Sequence, residues 1–357
     1  MSITSDAVGA YLVPNEIADA AVQPDSYLDV EGIVYPAYAW LRANRPVGLA
    51  RLEGYDPVWL VSKYQDIVTV ERRTDVFSVT QHQNTYNTRD SDAFMYSLTG
   101  GARPIDDLTH MDPPEHTEVR NVVGPQFTPR HIARLEGKIR EHARASVEQL
   151  LMIEGEVDLV EQLSRYPLHV IMTLLGVPEK DEPMMLQLTQ QFFGASDEEL
   201  NARGNADPET AAAAFMESAM AFNSYFSELS AKRRAEPADD LATHIANSRI
   251  DGEPINDGYA NGWYIAVAAG GHDTTTSSIL HGLHQLALHP KLLEELRNDL
   301  TLVPGLVEES VRWATPAKHF VRTAMEDIEL GGASEEGGPS DGSVGVGQPR
   351  RGSIREP

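Results

Sequence analysis

Residues 260 to 289 carry one helical apolar stripe with a single interruption at its middle. Trp263, Tyr264, Ile265 and Val267 stand before the gap; Ile279, Leu280, Leu283, Leu286 and Leu288 follow it. The gap reads Gly270-Gly271-His272-Asp273-Thr274-Thr275-Thr276-Ser277-Ser278. Gly costs about 1 kcal/mol relative to Ala inside a helix, and β-branched Thr loses side-chain freedom there. A helix that keeps such a segment is expected to bend at it, to admit something against its backbone, and to turn the acid–alcohol pair Asp273-Thr274 toward it. An adjacent acid and alcohol can deliver and relay protons. The plainer alternative is an N-cap, with Asp273 or Thr274 starting a new helix after the glycines. Spacing alone does not separate the two.

The chain has 357 residues, 41% apolar and 23% charged, enough for one large core or two ordinary ones. Its 54 acids against 29 bases give a net charge of −25, which repels nucleic acid and anionic membranes. No signal peptide and no apolar run of about 18 residues is visible, so no membrane span is expected. We read a soluble, cytoplasmic, monomeric protein. It contains no cysteine, which excludes disulfides, zinc-thiolate sites and thiol nucleophiles.

Tyr35 to Leu41 reads as a short helix, and Pro46–Ala50 with Val58–Ser62 as a hairpin. Ser78 to Asp107 reads as a long loop of the kind that forms a lid. Thr128-Pro129 starts a helix whose Ile132, Leu135, Ile139, Val147 and Leu151 share a face. Helices follow from Leu163 to Leu175, Glu209 to Arg234, Pro290 to Leu300 and near 302 to 313; residues 196 to 208 are a polar break, and 319 to 332 short strands. The fold class is mainly α with small β-sheets. From Ala333 to Pro357 the sequence holds six Gly and four Ser, has no period, and is expected to form no core.

Met111-Asp112-Pro113-Pro114-Glu115-His116-Thr117-Glu118-Val119-Arg120 opens a helix after two prolines. His116 and Arg120 share a face and suit a carboxylate or phosphate pair, though in isolation a solvated face explains them better. Glu309 and Arg312 are three apart, a spacing that usually means a surface ion pair. His272, His281, His284 and His289 lack the Glu of a His-Glu-x-x-His zinc site, so no metal site built from side chains is expected. Arg130, Arg134, Lys138, Arg140 and Arg144 outnumber Glu136 and Glu141 on one helix. That helix is a solvated face or a landing patch for an acidic electron donor. A magnesium-dependent terpene cyclase is excluded, because Asp239-Asp240-Leu241-Ala242-Thr243 lacks the third acid of an Asp-rich site.

Taken in order, the Asp-Pro-Pro-Glu-His-x-x-x-Arg run, Phe127-Thr128-Pro129-Arg130, Asp239-Asp240-Leu241, Gly-Gly-His-Asp-Thr-Thr and Glu-x-x-Arg with a downstream Arg resemble the soluble bacterial members of the cytochrome P-450 superfamily. The resemblance spans roughly Tyr27 to Gly332. It implies an incomplete P-450 domain over 1–332 and an aberrant tail over 333–357. It implies a haem b monooxygenase that inserts one oxygen atom from O2 into an apolar substrate, with electrons from a ferredoxin-type donor. Asp273 and Thr274 match the proton-delivery pair, and Gly270 and Gly271 the haem-facing glycines. His116, Arg120 and Arg322 match the propionate ligands, and Glu309 and Arg312 a buried structural ion pair. The family's Cys-containing haem loop and the helix after it have no counterpart here. Activity of the chain as written is therefore not expected, the alternative being a non-catalytic remnant that binds an apolar ligand or is unstable. The tail reads as a frameshift: moved by one nucleotide, its possible codons permit a Lys-Gly-Asp turn, an apolar strand and Ser-Ala-Asn-Arg-Asp.

Overall fold

The computed structural model describes residues 11–193, 208–335 and 343–347. They fall into two compact units, one of residues up to 104, 109–113 and from 317 onward, the other of 105–108 and 114–316.

In the first unit, helices α1 (Asn15–Val22) and α2 (Tyr35–Asn44) precede the hairpin of β1 (Val47–Ala50) and β2 (Val58–Val61). The hairpin pairs Val47 with Val61 and turns through Gly54 at a φ of +80°. Then come α3 (Tyr64–Arg72), β3 (Phe77–Ser78), α4 (Arg89–Thr99), β4 (His319–Ala324), β5 (Ile328–Leu330), β6 (Ala333–Glu335) and β7 (Ser343–Gly347). The main sheet runs in the order β1-β2-β7-β4-β3. Both faces of the hairpin are covered. Val47, Leu49, Trp59 and Val61 pack with Ile67, Val70 and Phe77, while Ala50 and Val58 pack with Ala37 and Leu41. That split follows from the two-residue side-chain period of a strand.

One expectation for this unit needs correction. The expected loop from Ser78 to Asp107 contains α4: the Thr88 hydroxyl caps it by accepting from Ser91 N (3.3 Å), and Gly100 ends it at a φ of +74°. In the tail, where no core was expected, Ala333–Glu335 and Ser343–Gly347 form β6 and β7; β7 lies parallel to β2 and antiparallel to β4. Two strands with open backbone groups accept even a Gly-rich partner, since ladder hydrogen bonds need no side chain.

The second unit holds α5 (Glu115–Val123), α6 (Pro129–Leu151), α7 (Leu159–Leu175), α8 (Glu182–Phe193), α9 (Pro208–Ala235), α10 (Leu241–Ala246), α11 (Asp257–Leu288), α12 (Pro290–Asn298) and α13 (Val303–Ala314), with a small ribbon of 249–250 on 253–254. The expected polar break at 196–208 lies almost wholly outside the described residues. Helix α11 is the axis, packing against α7, α8, α9 and α13. Tyr264 is fully buried, its ring stacked on Phe226 at 4.7 Å and its hydroxyl 2.8 Å from Ser230 Oγ. The apolar stripe of α6 is far less covered: no residue of that helix is buried, and Val147 and Leu151 are exposed. Val303, Val307 and Val311, four apart on α13, are exposed as well.

Candidate functional site on the central helix

Helix α11 is capped by Asn256, whose side chain accepts from Tyr259 N (2.7 Å), and runs unbroken from Asp257 to Leu288. Asp273 and Thr274 therefore lie in mid-helix, and the N-cap alternative is excluded. The hydroxyls are accommodated by bonding backward: Thr274 Oγ1 donates to Gly270 O (2.7 Å), Thr276 Oγ1 to His272 O (3.0 Å) and Ser278 Oγ to Thr274 O (2.8 Å). Such bonds keep poor helix formers helical.

The segment has a packed side and an open side. On the packed side, a Cβ added to Gly271 would lie 2.5 Å from Ile171 Cδ1 of α7. His272 is 1% exposed. Its Nε2 lies 3.0 Å from Ser164 O of α7, and its Nδ1 lies 3.0 Å from Thr189 Oγ1 of α8 and 3.3 Å from Asp273 Oδ1. A carbonyl only accepts, so Nε2 carries a proton. On the open side, a Cβ added to Gly270 would meet nothing within 4 Å, and the Asp273 side chain stays 39% exposed.

Burial pushes the Asp273 carboxyl above its ordinary range, partly offset by His272. Burial likewise pushes the His272 imidazole down, opposed by Asp273 and by the Ser164 carbonyl. A carboxyl whose pKa is raised, next to a hydroxyl-bearing residue on a helix edge open to a ligand, is suited to proton transfer. Sequence reading weighed His272 only as a metal ligand; Ser164 and Thr189 carry no spacing signal at all.

Helix α5 is fastened to the first turns of α11. Trp263 Nε1 donates to Val119 O (3.1 Å) and Tyr259 OH to Glu115 Oε1 (2.7 Å). His116 is half-buried and Arg120 exposed on this helix. Trp263 precedes Asp273 by ten residues, about 15 Å of helix rise. Arg322 belongs to the first unit, on β4, where its Nη2 donates to Glu71 Oε2 of α3 (3.0 Å). Sequence reading did not anticipate Glu71. On α13, Arg312 Nε donates to Glu309 Oε2 (2.7 Å) and its Nη2 to the other carboxylate oxygen, which holds the Glu309 carboxyl below its ordinary range. The Glu309 side chain is 44% exposed, so the pair is more open than the buried bridge expected.

The sequence profile of the cytochrome P-450 family matches residues 52–334. Cytochrome P-450-terp of a Pseudomonas species is 42% identical over 324 residues, which cover 90% of this chain and 76% of that protein. A steroid C26-monooxygenase of Rhodococcus jostii is 34% identical, over 87% of this chain and 63% of its own length. Among solved structures, CYP108D1 from Novosphingobium aromaticivorans aligns with a TM-score of 0.84 at 35% identity, over 94% of this chain and 78% of the other. No described helix is long and apolar enough to cross a membrane. The mainly helical fold with small sheets, the long central helix and these likenesses agree: the chain belongs to the cytochrome P-450 family of haem monooxygenases.

Proposed function

We propose that the open side of α11 is the distal wall of a haem b pocket and that Asp273 and Thr274 move protons across it. The observation that carries this reading is the asymmetry of the helix: Gly271 and His272 are locked against α7 and α8, while Gly270 leaves its side clear. Haem, when bound, supplies the chemistry of dioxygen activation. This chain's own contribution is to position, to exclude water and to donate protons. Asp273, its carboxyl pKa raised above the ordinary range, is the proton donor; the Thr274 hydroxyl, which donates to Gly270 O, swings outward to pass the proton on. His272 holds the backbone of this turn at a fixed distance from α7 and α8.

His116 and Arg120 on α5 and, separately in the first unit, Arg322 are side chains of the kind that bind propionates. The Glu309–Arg312 pair is structural. The substrate is an apolar organic molecule, a class that the steroid C26-monooxygenase name supports, and the electron donor is a ferredoxin-type protein. The donor set is one short, because the 357 residues contain no cysteine. Without a thiolate pushing electron density onto iron, O–O cleavage loses its main assistance. We therefore propose that this chain takes up haem weakly and does not turn over substrate.

The family profile matches residues 52–334, which supports that stretch as P-450 domain; we propose that the domain spans 1–332 and that the residues beyond depart from it. Sequencing the coding DNA tests the frameshift; no Cys-loop codons in the alternative frame would refute it. Haem titration of the chain tests the pocket. Uptake is expected to weaken at least fivefold in H116A/R120A and to be unaffected by R140A on α6. Equal uptake by all three proteins would remove the reading.

A further inference from the structure

A cleft of about 170 Å³ opens between α6, α7 and the start of α10, built by residues that the proposed haem pocket does not use. Leu135, Ile139 and Leu174 give it an apolar floor, and Phe127 stands at its side. One face of the Phe127 ring is stacked on Trp263 (6.4 Å, 13°), and 42% of the residue remains exposed. Its mouth is cationic. Arg134 and Lys138, four apart on α6, both line it, and neither has an ion-pair partner among the described residues. His131 and His244 face each other there, their rings 6.5 Å apart and perpendicular.

Two acids also contribute. Asp240 is spent: it accepts from Arg233 Nε (2.6 Å) and from Thr243 N (2.8 Å), with 7% of its side chain exposed. Asp239 is exposed at the rim. On a protein of net charge −25, a concave site holding two permanent cations and three imidazoles, His131, His142 and His244, against one open carboxylate is locally basic. A mixed lining of this kind selects for a molecule with an apolar body and one negative end. The volume sets the body's size, since a cavity of about 150 Å³ lined by apolar side chains accepts benzene.

We propose that this cleft binds a small aryl monocarboxylate, its ring on the apolar floor beside Phe127 and its carboxylate between Arg134 and Lys138. The binding uses neither haem nor Asp273 and Thr274, and α11 enters only through Trp263, on which Phe127 rests. Calorimetric titration of the full chain with benzoate tests it, with benzyl alcohol as the neutral isostere and acetate as the ringless anion. Saturable benzoate binding is expected, at least tenfold tighter than either control. R134Q/K138Q should weaken benzoate at least tenfold and leave benzyl alcohol unchanged. I139W, which fills the floor and keeps both cations, should also abolish benzoate binding, and the circular dichroism spectra of both variants verify that they fold. Equal affinity for benzoate and benzyl alcohol, equal affinity for benzoate and acetate, or no saturation by benzoate would each overturn the proposal.

Discussion

Replacing each glycine of the Gly270-Gly271 pair by alanine separates the packed side of α11 from the open one. Both sit in mid-helix, so each alanine gains about 1 kcal/mol of helix propensity, and this gain cancels when the two variants are compared. What remains is the room for one methyl group. At Gly270 it meets nothing within 4 Å. At Gly271 it lies 2.5 Å from Ile171 Cδ1 and 2.6 Å from Ile171 Cγ1, so that side chain must leave its rotamer or α7 must move. Overpacking of this kind costs about 1–3 kcal/mol. G270A is therefore expected to be more stable than wild type, and G271A less stable than G270A by about 1–3 kcal/mol. In thermal unfolding that is a gap of several degrees, at about 2–4 °C per kcal/mol for a large domain. The haem titration adds a second reading. Despite its greater stability, G270A should take up haem less well, because its methyl group stands on the side where the porphyrin approaches. Equal melting temperatures for the two variants would refute the packing argument; unchanged haem uptake by G270A would refute the placement of the pocket.

Three further outcomes are expected. Because His272 is held below its ordinary pKa, the unfolded chain binds its proton first as pH falls through about 6.5, and that part of the stability is lost in acid. The raised Asp273 carboxyl acts with the opposite sign at lower pH, so H272Q should flatten the decline between pH 7.5 and 5.5 measured by urea unfolding. E309Q should cost under about 1 kcal/mol, since solvent screens a pair whose Glu309 side chain is 44% exposed; a larger loss in the same assay would mean that the bridge is closed in solution. V307E/V311E should lower both dye binding by exposed apolar surface and light scattering without lowering the melting temperature, as both valines are 53% exposed.

The elements legible in the sequence were those with a strong period or a clear stop. The hairpin of β1 and β2, the start of α6 at Pro129 and the end of α7 at Gly176 follow from alternation, a first-turn proline and a left-handed glycine. Helix α4 was hidden because its cap, Thr88, lies among polar residues that also read as loop, and only Met95 of its face is buried. Strand β7 was hidden because its pairing comes from backbone groups of β2 and β4, which side-chain patterns do not report. At the site, Asp273-Thr274 stood out in the sequence, whereas the use of His272 did not. Its partners, Ser164 and Thr189, lie 108 and 83 residues away, and nothing local marks a residue that serves as an anchor.

The most direct measurement is the spectrum of the haem-supplied chain, reduced under carbon monoxide. A distal helix and propionate cations with no sulfur ligand predict haem uptake without the strongly red-shifted Soret band of thiolate-bound iron. That band, or hydroxylation of any substrate by the purified chain with a reductant, would contradict the account.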